Sequence, residues 1–131
     1  MSSVFTQIIN RQIPSNIVCE DENYIAFMDI MPVKKGHILV VPKLEVSDIF
    51  DLPVDIYNGL FSFSRQVSIA MKKVIPCKRI GVAVIGFEVP HAHIHLIPID
   101  NIDDMNFQIK KKVSNSELLD ISKEISNVIN I

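Results

Sequence analysis

The spacing at which apolar residues recur changes several times along the chain, and each spacing predicts a different secondary-structure element. Residues 17–20 and 24–29 are mostly apolar and flank a turn-rich segment, which predicts a β-hairpin. Residues 37–41 form a nearly continuous apolar run that a proline ends, a pattern typical of a central strand buried on both faces. Residues 79–87 and 91–98 predict two more strands, arranged most simply as antiparallel neighbours.

Three other segments carry apolar residues at three- and four-residue intervals, which predicts helices with one buried face. A short N-terminal helix is expected to end before Pro14, and a long central helix to open near Pro53 and stop at Pro76. The C-terminal helix follows Ser114, because Ser114 and Glu117 have the spacing of a capping box. This order predicts an α+β fold in which helices pack on one face of an antiparallel sheet of about five strands.

Length and composition narrow the class of protein. The 131 residues suit one domain, residues 1–131, because no repeat or linker divides the chain. A hydrophobic fraction of 48% and a charged fraction of 21% are ordinary for a globular protein, and the net charge of −2 offers no basic field for a nucleic acid polymer. No signal peptide or membrane-spanning run is recognisable, so we expect a cytoplasmic protein with no membrane partner.

The most informative chemistry lies in the segment HAHIHLIP, where His91, His93 and His95 are three of the four histidines in the chain. Successive side chains of a strand point to opposite faces, so the three imidazoles are expected to share one face. Neutral imidazole is both a nucleophile and a metal ligand near neutral pH. Three histidines in register therefore call for a chemical explanation.

The spacing alone leaves three interpretations open. The rings could be packing residues, although each buried ring then needs a polar partner. They could hold a metal ion, but His91 and His95 lie about 13 Å apart along a strand, so a neighbouring pair would need His37 as a further ligand. They could act at phosphorus, where one imidazole attacks and the flanking imidazoles stabilise charge or protonate the leaving group.

Residues 91–97 match the signature of the histidine-triad (HIT) superfamily, His-x-His-x-His followed by two apolar residues, at every defined position. Residues 27–32 and 36–43 resemble the substrate-side segment of that family in the same order. The resemblance covers about residues 3–99. The remaining residues, 100–131, form an acidic loop and the predicted last helix, and they carry no motif that we recognise.

This resemblance implies a HIT-like fold, a homodimer, and cleavage or transfer at the α-phosphate of a purine nucleotide through a nucleotidyl-histidine intermediate, with no metal or other cofactor. His93 would be the nucleophile, and the backbone carbonyl of His91 would orient its ring. His95 and His37 would lie against the phosphate, and Asp29 would accept hydrogen bonds from the ribose hydroxyls. The other residues of the nucleotide pocket would be Phe5, Ile8, Phe27, Ile30 and Gly86.

The chain also departs from the family pattern before its first histidine. Ile80 and Phe87 stand where many relatives have Asn and Gln, and Glu88 stands where they have Ser or Thr. We hypothesise that Glu88 couples to the histidines and assists protonation of the leaving group; the alternative is a solvent-facing salt bridge. Some relatives have a zinc-binding Cys-x-x-Cys where this chain has Ser3 and Thr6, and a further histidine common in relatives is replaced by Glu45. Because hydroxyl groups do not replace thiolates as zinc ligands, the resemblance adds no support for a metal site.

Two functions of other classes remain open alongside hydrolysis. The lost polar positions are compatible with a nucleotide-binding module that has little catalysis. The histidines are compatible with a metal-binding protein. The sequence indicates neither the preferred base nor the natural leaving group.

Overall fold

The structure of the protein, a computed structural model, describes residues 2–129. Within this range, the structure has five strands: β1 Ile17–Glu20, β2 Tyr24–Met28, β3 Ile38–Pro42, β4 Arg79–Ala83 and β5 Ile94–Ile99. They form one antiparallel sheet in the order β1-β2-β3-β5-β4, which confirms the predicted α+β architecture. The apolar strand β3 is central, as its uninterrupted hydrophobic run predicts.

Helices α1 Val4–Ile9, α2 Val54–Val74 and α3 Asn115–Val128 accompany the sheet, with short 3-10 turns at Ile49–Asp51 and Ile102–Asp104. Two of these helices begin at serine caps. The Ser3 hydroxyl accepts a hydrogen bond from the Thr6 amide at 3.1 Å, and the Ser114 hydroxyl accepts one from the Glu117 amide at 3.1 Å. Such caps satisfy backbone donors that the first helical turn leaves unpaired.

The two faces of the sheet carry different helices. Alternate residues of β2, Tyr24, Ala26 and Met28, join the main core with α2 and α3. The intervening residues, Ile25 and Phe27, pack on the opposite face against α1. The expectation that the helices share one face is therefore wrong for α1, because strand alternation gives both faces of this sheet an apolar surface to cover.

The predicted strands around the histidines are too long. Strand β4 ends at Ala83, and β5 begins only at Ile94. Gly86 has a φ of 86°, a left-handed conformation that a regular strand does not use, and Pro90 has no amide proton to donate. Residues 84–93 therefore form a loop, and His91 and His93 do not belong to a strand face.

Each helix buries some of its residues against the core and exposes others. In residues 2–129, no helix combines the length and the hydropathy needed to cross a bilayer.

Candidate active site

The pairing of β3 with β5 brings two distant histidines together. Leu39 of β3 pairs with His95 of β5, and His37 lies two residues before Leu39, on the same face of the sheet. The imidazole centroids of His37 and His95 are 5.1 Å apart, and those of His93 and His95 are 4.8 Å apart. Three of the four histidine rings therefore form one cluster, although only His95 lies in a strand.

The ring of His93 is held by a hydrogen bond to the backbone of His91. Its Nδ1 lies 2.7 Å from the backbone carbonyl oxygen of His91, so Nδ1 carries the proton and donates it to that oxygen. The lone pair is then on Nε2. Burial lowers the pKa of His93 below its ordinary value, which keeps the ring neutral and nucleophilic at neutral pH.

His37 and His95 form a directed hydrogen-bond chain. The Val33 amide donates to Nδ1 of His37 at 3.1 Å, so the His37 proton resides on Nε2. That Nε2 donates to Nδ1 of His95 at 2.9 Å, which leaves the His95 proton on its own Nε2. Burial lowers the pKa of His37 to about 3 and that of His95 to about 4, so both rings are neutral. His95 therefore presents an N–H donor beside His93.

His91 has a different environment from the other three histidines, because its two ring nitrogens are paired with Ser3 and Pro42. The ring is fully buried, and its Nε2 donates to the carbonyl oxygen of Pro42 at 2.8 Å. Its Nδ1 accepts from the Ser3 hydroxyl at 2.7 Å. The Glu45 carboxylate in turn accepts from the Ser3 amide at 2.7 Å and from the Thr6 hydroxyl at 2.6 Å. Sequence reasoning assigned no role to this network, because its members are far apart in the chain.

A cavity of about 490 Å³ lies beside His93 and His95, within the size range of small-molecule sites. Phe5 covers His93 edge-on, with centroids 4.9 Å apart. His37 and His91 lie behind this surface. The cavity lining includes all of the predicted pocket residues, namely Phe5, Ile8, Phe27, Asp29, Ile30 and Gly86.

Asp29 directly follows β2 and lines the cavity. One carboxylate oxygen accepts from the Met31 amide at 2.9 Å, and the other is 3.6 Å from Nε2 of His37. Burial raises the pKa of Asp29 above its ordinary value. The carboxylate is therefore held at the cavity wall beside the histidine cluster.

Glu88 lies at the cavity mouth rather than within the histidine cluster. Its side chain is 83% exposed, and its carboxylate is 3.8 Å from the ammonium of Lys110. In residues 2–129 this ion pair is the one polar side-chain contact of Glu88 within hydrogen-bond or salt-bridge distance. This placement favours the solvent-facing salt bridge over direct coupling to the histidines.

Two cavity residues come from the segment for which no motif was recognised. The ring of Phe107 packs edge-on against His95, with centroids 5.0 Å apart, and Lys110 lines the same cavity. Both residues lie in an irregular loop, so hydrophobic periodicity could not place them. A weak signal is present in the sequence, since Phe107 is a lone aromatic residue in a polar stretch.

The metal-binding interpretation has a specific set of donors to be tested. Asp29, His37 and His95 offer ligand atoms that lie within 4.8 Å of one another. However, Nδ1 of His37 accepts from the Val33 amide, so the facing Nε2 carries a proton and has no lone pair for a metal ion. The hydrogen-bond pattern therefore favours a proton-bearing cluster over a ligand set.

Comparisons with known proteins agree with this geometry. The family model described as "HIT domain" matches residues 10–102. An uncharacterized HIT-like protein of Methanocaldococcus jannaschii is 36% identical over 132 aligned positions, covering 93% of this chain and 97% of that protein. The purine nucleoside phosphoramidase of Escherichia coli is 31% identical over 107 positions, covering 72% and 85%. The crystal structure of a Zn-bound histidine triad family protein from Mycobacterium smegmatis superposes with a TM-score of 0.83 at 25% identity, covering 97% and 92%.

Proposed function

Because the chain belongs to the HIT domain family, we propose that it is a nucleotide hydrolase or nucleotidyl transferase acting at the α-phosphate of its substrate. The substrate class is a nucleoside phosphoramidate, an adenylylated small molecule or a dinucleoside polyphosphate. One observation carries the proposal: neutral His93, with its lone pair on Nε2, lines a cavity large enough for a nucleotide. The similarity to the Escherichia coli purine nucleoside phosphoramidase supports the same class.

The reaction proceeds in two steps. Nε2 of His93 attacks the α-phosphorus, and the bond to the leaving group breaks with its electron pair on the departing atom, which takes a proton from solvent. The N–H of His95 stabilises the negative charge that develops on the phosphoryl oxygen. Water then attacks the phosphorus, and the electron pair of the bond between phosphorus and His93 returns to Nε2, which restores the neutral ring. A nucleoside monophosphate is released, and a proton of the water passes to solvent.

The nucleotide is oriented by the apolar and polar parts of the cavity. We assign the base to the surface formed by Phe5, Ile8, Phe27 and Ile30, since planar rings bind well against aromatic and branched side chains. Asp29 accepts hydrogen bonds from the ribose hydroxyls. Gly86 lies at the phosphate side, where a Cβ would meet no atom within 4 Å, so its role is the left-handed turn rather than close packing.

The decisive experiment is the His93→Ala variant assayed with a slow, fluorogenic adenosine phosphoramidate. We expect turnover to fall by at least about 10³-fold, because the nucleophile is lost, while binding of AMP is retained. Mass spectrometry of the wild-type protein with the same substrate should detect a nucleotidyl adduct on His93. Undiminished activity of the variant, or an adduct on another residue, would contradict the mechanism.

The runner-up function is a nucleotide-binding module with little catalysis. The specific observation that favours it is the loss of polar groups near the phosphate, with Phe87 now 93% exposed at the cavity rim. Calorimetry with AMP, run beside activity assays on the three substrate classes, separates the two functions. If the protein binds AMP but turns over none of the three substrate classes, it is a nucleotide-binding module.

The metal-binding alternative is tested directly. In the part of the chain that the structure describes, a zinc ion at clustered donor atoms would need Asp29, His37 and His95. Elemental analysis of protein purified without a histidine tag should detect less than stoichiometric zinc. Activity should persist in excess EDTA, because no step above requires a metal.

We further propose that the chain is a single domain, acts in the cytoplasm, and forms a homodimer. The packing of α3 against both α2 and β1 supports the single domain. Apolar side chains left exposed at β4 and α2, including Val82 and Phe61, support self-association.

A further inference from the structure

Lys110 enters the cavity from a part of the chain that the HIT domain model does not cover. That model ends at residue 102, whereas Lys110 belongs to the irregular segment that follows. Its side chain lines the same cavity as His93 and His95, and only 25% of it is exposed. Its ammonium lies 3.8 Å from the carboxylate of Glu88.

Several contacts hold this segment against the cavity. The Lys111 amide donates to the carbonyl oxygen of Pro32 at 2.7 Å, and the ring of Phe107 packs against His95. Before them, Asp104 accepts from the ammonium of Lys34 at 3.4 Å. Lys110 is thus carried on backbone fixed on both sides and is positioned at the cavity.

Lys110 changes the balance of charge in the cavity. The histidines are neutral at physiological pH, and the acidic groups that line the described cavity are Asp29 and Glu88. Among the lining residues, Lys110 is the one permanent cation. Its charge reaches into the site: it adds to the effect of burial in lowering the pKa values of His37 and His95, and it partly opposes the burial that raises the pKa of Asp29. Lys110 is therefore the permanent positive charge that a substrate with several phosphate groups would encounter in this cavity.

The position of Lys110 indicates which part of the substrate it meets. In phosphoryl transfer the leaving atom lies opposite the nucleophile, so the leaving group points away from His93. Lys110 contacts Glu88, which lies at the cavity mouth and is mostly exposed. A leaving group that extends beyond the α-phosphate would therefore reach Lys110 at this mouth.

We propose that Lys110 is a specificity-determining residue that binds an anionic phosphoryl group in the leaving half of the substrate, and that Glu88 is its exchangeable counter-ion. The proposal rests on the proposed function and narrows it to nucleoside polyphosphates over phosphoramidates with neutral amine leaving groups. Ion pairs with a highly exposed partner contribute little to stability, so a phosphate displaces Glu88 from Lys110 at small cost.

The test compares Lys110→Gln with Lys112→Gln, a matched change at an exposed lysine two residues away. For each variant, kcat/KM is measured with a diadenosine polyphosphate and with an adenosine phosphoramidate. We expect Lys110→Gln to lower the ratio of kcat/KM for the polyphosphate to kcat/KM for the phosphoramidate by about tenfold or more. The reason is that a charge-assisted contact is lost only with the polyphosphate. Lys110→Arg should restore most of the ratio, and Lys112→Gln should leave it unchanged.

Each other outcome overturns the proposal. Equal losses with both substrates would assign Lys110 to the α-phosphate, and no loss with either would remove it from recognition. A parallel calorimetric measurement keeps the test independent of turnover: Lys110→Gln should weaken binding of ADP more than binding of AMP. If the wild-type protein hydrolyses no substrate, the proposed function fails, while the comparison of ADP with AMP still decides the role of Lys110.

Discussion

At the scale of single residues, backbone groups decide which nitrogen of each histidine carries its proton. The Val33 amide fixes the tautomer of His37, the His91 carbonyl fixes that of His93, and the Pro42 carbonyl fixes that of His91. Each ring therefore enters the site with a defined donor and a defined acceptor. The neutral state of the cluster follows from burial, which disfavours an imidazolium.

Burial of neutral histidine makes stability depend on pH with a definite sign. The pKa of His37 is about 3 in the folded protein and near 6.5 when unfolded, so the unfolded chain binds the extra proton between these values. The free energy of unfolding should therefore fall as pH drops below 6.5, by up to about 1.4 kcal/mol per pH unit for each such histidine. Above pH 7 this contribution to the slope is absent.

Urea unfolding at pH 8, 6 and 5 measures this effect in the wild-type protein and in His37→Asn. The variant starts from a lower stability, because Nδ1 of His95 loses its donor. The informative quantity is the slope between pH 6 and 5, which should be smaller in the variant. Identical slopes would show that His37 is not the group responsible.

At the scale of elements, the N-terminus of α1 is joined to the loop that carries His91. The Ser3 hydroxyl accepts from the Thr6 amide as a helix cap and donates to Nδ1 of His91, and Glu45 accepts from Ser3 and Thr6. These contacts fix the ring of His91, whose carbonyl orients His93. Ser3 is therefore a positioning residue for the ring of His93, on which it acts through His91.

Ser3→Ala should therefore affect both stability and activity. Loss of the cap and of the donor to His91 should lower the free energy of unfolding by about 1 to 3 kcal/mol. Because the His91 carbonyl is then less firmly held, kcat should fall severalfold and the acid limb of the pH profile should shift. Ser114→Ala is the matched control, since it removes the cap of α3, which lies outside the cavity lining. Equal kcat in both variants would contradict the positioning role.

The loop between β4 and β5 shows how element boundaries set the site. A continuous strand through the three histidines would place their rings on one face, with successive histidines about 6.6 Å apart along the strand. Instead, the ladder of β4 and β5 ends at the pair of Ala83 and His95. The left-handed Gly86 and the proline at residue 90 lie in the irregular segment that follows β4, and the Ala92 amide donates to the carbonyl oxygen of Val46. The turn directs the ring of His91 inward and leaves His93 at the cavity.

At the scale of the whole molecule, β4 forms one of the two edges of the sheet within residues 2–129. Val82 on this edge strand is 53% exposed, and apolar residues of the neighbouring α2, including Phe61 and Ile69, are also exposed. An unpaired strand edge beside apolar surface favours pairing with a second copy of the chain.

Light scattering coupled to size-exclusion chromatography tests the homodimer. The wild-type protein should elute with twice the mass of the chain, and Val82→Lys should shift it towards the monomer, because a charge on the edge strand opposes strand pairing. Leu119→Lys on α3 is a control at a comparably exposed apolar position away from β4. A monomeric wild-type protein, or equal dissociation in both variants, would remove β4 as the interface.

Much of the fold and part of the site could be predicted from the sequence. The strands around the central hairpin, the capped helices and the central place of β3 follow from local patterns, because side-chain period and capping act over a few residues. The histidine motif marks His93 as the central histidine. The pocket residues that the resemblance implies, such as Phe27 and Asp29, line one cavity. These features depend on neighbours in the sequence.

Tertiary structure alone decided the rest. The side of the sheet that α1 covers, the tautomers of the histidines, the Ser3 and Glu45 network, and the meeting of Lys110 with Glu88 all depend on residues far apart in the chain. No local pattern specifies such contacts, because hydrogen bonds and ion pairs depend on distances that only the folded backbone sets. The sequence by itself determined which residues form each element and which histidine is central, and the folded structure determined what each of them contacts.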